Sequence, residues 1–233
     1  MMVAMASEHR TAEVELAPST SSRATFVGTT QFGKTTLALA FLALVRRPGA
    51  RVCAIDTKGD AALNAFATAR GYFRSQLPVV PSAAQPRVLL HVPPDPDALQ
   101  PLFHRLVADG DVLVYIDELT HVTKPSGNQA GLRSLYATGA GRGVGVWACS
   151  QQPVFIPSII LSSSDRLFVF RLKRRADRDT VAGYIGEAAE RTASFEPGRF
   201  LYHDDRVDEP IECEPIPLAP SGARAARGAR ILA

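Results

Sequence analysis

The sequence has few of the features that define several large protein classes. Its three cysteines, Cys53, Cys149 and Cys213, lack the spacing of a zinc site or a disulfide framework. The longest apolar run, 37–45, is too short to cross a bilayer, and the charged N-terminus lacks an apolar signal region. A formal net charge of +3 creates no bulk preference for nucleic acid. These absences favour a protein of a reducing, intracellular setting with no direct membrane insertion.

The chain of 233 residues is long enough for one α/β domain with short appendages. Short apolar segments alternate with helical patterns, which predicts βαβ crossovers and a mostly parallel central sheet with helices on both faces. The predicted strands are 24–27, 51–55, 88–92, 112–116, 144–149 and 167–170, with a final edge strand at 200–202, and the predicted helices are 34–46, 61–70, 98–107, 131–138 and 176–185. We predict an N-terminal arm at 1–22, the α/β domain at 23–215 and a flexible basic tail at 216–233.

Residues 28–35 have the spacing G-x-x-x-x-G-K-[ST] of a phosphate-binding loop, between an apolar strand and an apolar helix. The glycines permit turns that direct backbone N–H groups at phosphate oxygens, and the helix adds its positive N-terminus. Lys34 supplies a charge for the β- and γ-phosphates, and the Thr35 hydroxyl is a magnesium ligand. The predicted nucleotide-binding residues are Gly28, Thr29, Thr30, Gln31, Phe32, Gly33, Lys34, Thr35 and Thr36.

An acidic pair, Asp117 and Glu118, directly follows the apolar segment 112–116, as in a Walker B motif. The carboxyl end of a parallel strand faces the ligand crevice. We expect Asp117 to hold magnesium through a water and Glu118 to polarise the attacking water. A glutamate at this place favours ATP over GTP as the substrate. The string T-K-G-D at 57–60 matches a guanine-binding motif, but it precedes the acidic pair, so we interpret it as a chance match.

A glutamine follows the next apolar segment, 144–149, along the chain. Gln151 can sense the γ-phosphate or orient the water from this position. The alternative is a turn residue near Pro153 without a catalytic role.

In their order along the chain, these motifs resemble those of the HerA/FtsK superfamily of DNA-pumping ATPases. The string I-D-T-K-G-D at 55–60 is similar to the D-x-K-G signature of that family's second strand. The strings G-R-G-V at 141–144 and S-Q-Q-P at 150–153 are similar to G-R-x-x-G … T-Q-x-P, with Ser150 where threonine is usual. The resemblance extends over about residues 23–203.

The resemblance implies a RecA-like P-loop core that binds ATP and Mg²⁺ and threads double-stranded DNA as a homo-oligomer, usually a hexameric ring. An arginine of the neighbouring subunit would complete each catalytic site. Arg142 is the predicted trans arginine, with Arg133 and Arg166 as alternatives. The predicted catalytic residues are therefore Glu118, Lys34, Gln151 and Arg142, and the predicted DNA-contacting loops are 121–129, with Lys124, and the basic segment 171–175.

Within the superfamily, the size of the chain favours one branch. There is no room for the membrane segments, inserted domains or N-terminal barrels of other members. A bare motor domain resembles the genome-packaging ATPases of tailless, membrane-containing icosahedral viruses. This resemblance implies DNA packaging into a preformed capsid, in the host cytoplasm or at a virion vertex, with a capsid-vertex or membrane protein as the docking partner.

Three alternatives remain open at this level. A DNA-transfer motor of a plasmid or mobile element would use the same motifs with a different partner. A small-molecule P-loop kinase would use the arginines of 171–178 as a lid over its acceptor. A non-catalytic, nucleotide-dependent assembly protein would not need Glu118, so the presence of that residue disfavours it.

Overall fold

The computed structural model describes residues 2–7, 10–45, 49–124, 129–204, 206–207 and 209–216. Within these ranges the strands are β1 Met2–Ser7, β2 Arg10–Glu15, β3 Arg23–Val27, β4 Arg51–Asp56, β5 Phe73–Ser75, β6 Arg87–His91, β7 Val112–Ile116, β8 Gly145–Ser150, β9 Arg166–Val169, β10 Phe200–Asp204 and β11 Ile211–Cys213. The α-helices are α1 Lys34–Leu44, α2 Ala61–Ala69, α3 Gln100–Asp109, α4 Ala130–Ala137, α5 Ser158–Ser162 and α6 Arg175–Ile185. Short 3₁₀ helices span Leu119–His121, Ala140–Arg142, Pro153–Phe155 and Gly186–Ser194.

Nine strands form one sheet in the order β11-β10-β9-β3-β8-β7-β4-β6-β5, and β1 and β2 pair separately as an antiparallel hairpin. In this order across the sheet, all neighbouring strands from β9 through β3, β8, β7, β4 and β6 to β5 are parallel to each other. Strand β10 runs antiparallel to both β9 and β11. The mostly parallel sheet confirms the α/β class that the alternation of strands and helices predicts.

Helices cover both faces of this sheet, as predicted. In β7, Val112, Val114 and Ile116 belong to one core, which they share with α3, α4 and α6. Leu113 and Tyr115 point to the opposite core, which α1 and α2 cover. Because successive side chains of a strand point to opposite faces, a strand buried on both sides must be apolar throughout, which explains the unbroken apolar run of β7.

The carboxyl ends of the parallel strands meet at one edge of the sheet, which we call the carboxyl edge. Val27, the last residue of β3, is paired with Ser150 of β8 on one side and Val169 of β9 on the other. On the far side of β7, Ile55 of β4 is paired with Ile116. The loops that follow these strands are therefore neighbours, although they are far apart in sequence.

The structure departs from the sequence-based expectations mainly at the sheet borders. Helix α1 ends at Leu44 rather than at residue 46, and 46–48 lie outside the described residues. Residues 200–202 do not form an edge strand, because β11 pairs on the outer side of β10. Strands β5 and β11 are only three residues long, so their formation depends on a longer neighbour and not on a sequence pattern of their own.

The segment that leads into β3 contacts the core. Leu16 is fully buried. The Arg166 side chain donates to the carbonyl oxygens of Leu16 and Ala17, and Trp147 Nε1 donates to Ser19 O at 3.3 Å. The domain limits predicted at 22/23 and 215/216 stay predictions, and 217–233 lie outside the described residues. In the part of the chain described here, no helix combines the length and the apolar character needed to cross a bilayer.

A cluster of buried aromatic rings includes Phe26 of β3 and Phe168 of β9. It allows a direct test of the core. The fully buried Phe168 ring stacks on Phe26 with centroids 4.6 Å apart, and its centroid lies 5.5 Å from that of Phe41 and 5.2 Å from that of Tyr202. We expect Phe168→Ala to lower the free energy of unfolding by about 3–5 kcal/mol, because the cavity left between the sheet and α1 would close only in part. Urea denaturation followed by circular dichroism measures this loss.

Phe73→Ala is the matched control for this prediction. Phe73 lies on the short edge strand β5 and is 42% exposed, so its truncation should change the free energy of unfolding far less. Similar losses for both variants would contradict the assignment of Phe168 to the core.

Candidate nucleotide-binding site

Residues 28–35, called the phosphate loop below, connect β3 to α1 at the carboxyl edge. Gly28 has φ of 149° and Gly33 has φ of 102°, which are conformations that favour glycine. A Cβ atom at Gly28 would lie 2.6 Å from Cβ of Phe170, in the segment after β9. The first glycine of the motif is thus required for two reasons. Its dihedral angles favour glycine, and the segment just after β9 lies too close to leave space for a Cβ atom.

Neighbouring segments fix the path of the phosphate loop. Thr29 N donates to Arg171 O at 2.8 Å, and Gly28 N donates to Ser150 O at 3.1 Å. On the other side, Gly198 N donates to Phe32 O at 3.2 Å. The loop is therefore held by β8, by the segment after β9 and by the turn before β10.

Lys34 is the first residue of α1 and is only 7% exposed. Its Nζ donates to Thr29 O at 2.9 Å, which places the ammonium across the phosphate loop. Burial lowers the pKa of Lys34, although nearby acidic groups including Glu118 oppose this effect. No side chain caps the start of α1, so its first N–H groups remain available to an anionic ligand.

The acidic pair is buried beside the phosphate loop. Asp117 is 0% exposed and Glu118 is 2% exposed. The Thr35 hydroxyl and the Tyr115 hydroxyl each donate to Asp117 Oδ1 at 3.2 Å. Burial raises the pKa of Asp117, and the hydrogen bond and charge of Lys58 counteract part of this rise.

Glu118 presents one oxygen to the protein and leaves the other without a hydrogen bond. Its Oε1 accepts from Thr120 Oγ1 at 3.0 Å and from Gln151 N at 3.3 Å. Its Oε2 is buried and has no hydrogen-bond partner within the described part of the chain. A buried carboxylate oxygen without a hydrogen-bond donor is unusual, and it is suited to accept one from a water at the reaction centre.

The donor set fits a magnesium ion that is shared with phosphates. Magnesium prefers oxygen ligands and is usually held by one or two carboxylates plus substrate phosphates. Thr35 Oγ1 and Asp117 Oδ1 are such donors and lie next to the phosphate loop. In the ranges that the structure covers, no group of three or more His, Cys, Asp or Glu side chains forms a separate metal site.

Gln151 connects the phosphate loop with the acidic pair. Its Oε1 accepts a hydrogen bond from Thr30 Oγ1 at 2.6 Å, and its backbone N–H donates to Glu118 Oε1. A movement of Thr30 in the phosphate loop can therefore be transmitted to Glu118 through Gln151. The predicted residues from the loop, the acidic pair and Gln151 thus lie together in the structure.

The sequence analysis missed a role for Lys58. Its Nζ lies 2.8 Å from Asp117 Oδ2 and 3.9 Å from Glu118 Oε2, and it also donates to Asp117 O at 3.4 Å. The D-x-K-G string contained this signal, but a sequence motif alone does not reveal which side chain the lysine contacts.

Two of the three candidate trans arginines, Arg142 and Arg166, lie at the edge of the sheet opposite the phosphate loop of their own chain. Arg142 precedes β8, at the edge of the sheet opposite the phosphate loop, and it donates to Ala108 O at 2.7 Å and Val107 O at 3.4 Å at the end of α3. Arg166 begins β9 at that same amino edge, and Arg133 is exposed on α4.

The two predicted DNA-contacting segments differ in their exposure. In the segment that follows β9, Arg171 lies over the Phe32 ring with its Cζ 5.3 Å from the centroid, whereas Lys173, Arg174 and Arg175 are exposed. In the other segment Lys124 is ion-paired with Asp97, and 125–128 lie outside the described residues. The exposed basic surface of 173–175 is therefore the better defined of the two.

Comparison with known proteins gives a curated relative and several solved structures, although no protein-family model matches the chain. The DNA packaging ATPase P9 of Enterobacteria phage PRD1 is 24% identical over 212 residues, which is 87% of this chain and 90% of that protein. The genome packaging NTPase B204 of Sulfolobus turreted icosahedral virus 2, in complex with AMPPCP, matches with a TM-score of 0.68 and 17% identity over 84% of this chain and 98% of its own.

A second solved structure has the same fold. VirB4 of Thermoanaerobacter pseudethanolicus matches with a TM-score of 0.68 and 10% identity, over 94% of this chain and 97% of its own. The structural matches agree on a P-loop NTPase fold, as the phosphate loop predicts. The chain is therefore a homologue of the packaging ATPase P9 of phage PRD1, with a P-loop NTPase fold and motifs similar to those of the HerA/FtsK superfamily.

Proposed function

We propose that the chain is an ATPase that translocates double-stranded DNA and packages a viral genome into a preformed capsid. The observation that carries this proposal is the convergence of the phosphate loop, the buried pair Asp117–Glu118 and Gln151 at the carboxyl edge, in a homologue of a DNA packaging ATPase. The relatives named above include a packaging NTPase in complex with the ATP analogue AMPPCP, which supports ATP as the nucleotide.

In the proposed reaction, each side chain has one task. The start of α1 and the ammonium of Lys34 bind the phosphates of ATP. Thr35 and Asp117 would hold magnesium, which would neutralise charge on the transferring phosphate. Glu118 Oε2 accepts a hydrogen bond from the attacking water and directs it at the γ-phosphorus.

Gln151 is the proposed sensor of this reaction. Its side chain bonds to Thr30 of the phosphate loop, and its backbone bonds to Glu118, so loss of the γ-phosphate changes both contacts together. Gln151 directly follows β8 and is followed in turn by the short helix Pro153–Phe155, where the Phe155 ring centroid lies 5.6 Å from the Cζ of Arg174. This contact is the proposed route by which a change at Gln151 reaches the exposed basic surface.

The basic surface of 173–175 is the proposed DNA contact. These side chains follow β9 at the carboxyl edge and are exposed. Lysine and arginine heads that reach phosphate oxygens bind without reading sequence, and such binding weakens as salt rises. A motor that moves along DNA requires this kind of contact.

A ring explains the position of Arg142. The six residues of β8 separate Arg142 from the phosphate loop of its own chain by about 20 Å, at ~3.3 Å per strand residue. A catalytic role for Arg142 would therefore be in the site of a neighbouring subunit, and this distance supports the proposal of a trans arginine. We propose a homo-oligomer, with a hexamer as its usual form, which docks on a capsid-vertex or membrane protein in the host cytoplasm or at the virion vertex.

A DNA-transfer motor is the second candidate function. The observation that favours it is the structural similarity to the pCW3 conjugation coupling protein TcpA, with a TM-score of 0.54 and 16% identity over 91% of this chain and 64% of its own. Both functions use the same ATP site and DNA surface, and they differ in the docking partner. Capture of the purified chain by a capsid-vertex protein would support packaging, whereas capture by a relaxase complex would support transfer.

Lys34 provides a direct test of nucleotide binding. We expect Lys34→Ala to weaken ATP binding by at least about 100-fold, because the variant loses the buried ammonium next to the phosphates. Isothermal titration calorimetry measures the affinity. Arg105→Ala, which removes a positive charge from the exposed side of α3, should bind as the wild type does. Retention of tight binding by Lys34→Ala would contradict the assignment of the phosphate loop.

The central experiment is steady-state ATP hydrolysis with and without double-stranded DNA. We expect DNA to stimulate hydrolysis, and we expect the stimulation to fall as salt rises. Glu118→Gln should bind ATP and yet lose at least about 100-fold in turnover, because the amide is no base and orients water poorly. Phosphate release in the absence of any organic acceptor separates this function from a small-molecule kinase, which would need one.

Two outcomes would overturn this assignment in different ways. Hydrolysis that DNA leaves unchanged would oppose the translocase, and normal turnover by Glu118→Gln would place the catalytic carboxylate elsewhere. An Ala substitution at all three of residues 173–175 should reduce stimulation by DNA, which locates the contact.

The trans role of Arg142 is tested by mixing two variants. Arg142→Ala and Lys34→Ala should each be inactive alone, whereas a mixture should regain part of the activity. Mixed rings contain interfaces in which an intact Arg142 faces an intact phosphate loop. Arg51→Ala controls for lost packing, because Arg51 also donates to carbonyl oxygens at the end of α3. The absence of any gain on mixing with Lys34→Ala would argue against Arg142.

A further inference from the structure

The turn between β4 and α2 is held by one buried carboxylate. Asp56 is 0% exposed, and its Oδ1 accepts hydrogen bonds from the backbone N–H groups of Lys58 at 3.1 Å, Gly59 at 2.8 Å and Asp60 at 3.1 Å. Its Oδ2 accepts from Asn64 Nδ2 at 2.9 Å. Three donors on a single oxygen leave the turn little freedom, so the direction of the Lys58 side chain is set by the backbone around it.

The other residues of the turn support the same geometry. Gly59 has φ of 72°, a value that favours glycine. Asp60 caps α2 by accepting from Leu63 N at 2.9 Å. Thr57 Oγ1 lies 2.9 Å from His121 Nδ1, in the segment just after the acidic pair. The turn is therefore hydrogen-bonded to the segment just after the acidic pair, next to the carboxylates that Lys58 approaches.

Lys58 directs its ammonium at both members of the acidic pair. Its Nζ is 2.8 Å from Asp117 Oδ2 and 3.9 Å from Glu118 Oε2, and its side chain is 26% exposed. The other nearby lysine, Lys34, donates to Thr29 O across the phosphate loop. Two adjacent buried carboxylates without a counter-charge are strongly unfavourable. Lys58 supplies that counter-charge.

Magnesium and Lys58 compete for the same carboxylate. Asp117 is the residue to which we assign the cation, and its Oδ1 already contacts Thr35 of the phosphate loop. A divalent cation at Asp117 would repel an ammonium that is 2.8 Å from the same carboxylate. Glu118 Oε2 lies 3.9 Å from the ammonium, has no hydrogen bond in the described part of the chain, and is a second carboxylate oxygen within reach of Lys58.

We propose that Lys58 is a positioning residue that neutralises the acidic pair before magnesium binds and moves from Asp117 to Glu118 when magnesium arrives. This inference rests on the proposed ATPase function. In the loaded site the ammonium then steadies the carboxylate that directs the water. The side chain of Lys58 in the β4–α2 turn thereby changes its partner when magnesium binds. A static ion pair between Lys58 and Asp117 would not do so.

The test compares Lys58→Met, which keeps a long side chain without the charge, with Lys58→Arg, which keeps the charge. ADP binding is measured by calorimetry over a series of Mg²⁺ concentrations. We expect Lys58→Met to reach half of the Mg²⁺-dependent gain in ADP affinity at about tenfold less Mg²⁺, because the competing ammonium is absent. Lys58→Arg should stay within about twofold of the wild type.

Thermal unfolding gives an independent readout. In EDTA, Lys58→Met should unfold at a lower temperature than the wild type, since its acidic pair has lost the counter-charge. Mg²⁺ with ADP should then stabilise Lys58→Met more than it stabilises the wild type. If Lys58→Met does not fold, Lys58→Gln replaces it in both measurements, because its amide is neutral and can still donate to the acidic pair.

The outcomes separate this inference from the function on which it rests. An unchanged Mg²⁺ requirement in the neutral variants would overturn the role of Lys58, even with normal ADP binding. A higher Mg²⁺ requirement would also overturn it, because Lys58 would then assist the cation rather than compete with it. Failure of the wild-type chain to bind any adenine nucleotide would instead overturn the proposed ATPase function.

Discussion

The burial of two adjacent carboxylates is the constraint on which the rest of the site depends. Asp117 and Glu118 lie at the end of a strand that is apolar on both faces, so water cannot solvate their charges. Their oxygens need donors from other elements. Thr35 comes from the phosphate loop, the Gln151 N–H from the end of β8, and Lys58 from the β4–α2 turn. The two buried carboxylates at the end of β7 thus need hydrogen-bond donors or positive charge, and three neighbouring segments supply them.

The parallel sheet satisfies this requirement through its register. Val27 pairs with Ser150, Ile55 pairs with Ile116, and Ile116 pairs with Ala148. Strands β3, β4, β7 and β8 therefore end within about two residues of one another along the sheet. A slip of two residues in any pairing would displace a loop by about 7 Å and break its hydrogen bonds to the acidic pair. The packing at Gly28 reinforces this register, since a Cβ there would lie 2.6 Å from Cβ of Phe170. Fold stability and site geometry therefore depend on the same contacts.

The sequence predicted the elements whose signal is local. The apolar run of β7, the glycine spacing of the phosphate loop and the acidic pair each need only a few consecutive residues. Strands β5 and β11 were missed because three residues carry no periodicity and pair only with an existing neighbour. The role of Lys58 was missed for a related reason. Its partner Asp117 is far away in sequence, and only the pairing of β4 with β7 brings them together.

The two edges of the sheet carry different groups. The carboxyl edge holds the groups to which we assign the binding of ATP and the polarisation of the attacking water, including Lys34 and Glu118. The amino edge holds Arg142, whose guanidinium satisfies carbonyl oxygens at the end of α3. Helix C-termini attract positive charge, so this arginine has a structural use even in a single subunit. Because it is also exposed, a neighbouring subunit that approaches this edge with its own carboxyl edge would meet an arginine already held in place. A head-to-tail contact of this kind is heterologous, and heterologous contacts close into rings when the rotation between subunits permits. The division of groups between the two edges thus supports the proposal of a ring in which each nucleotide site is shared by two subunits.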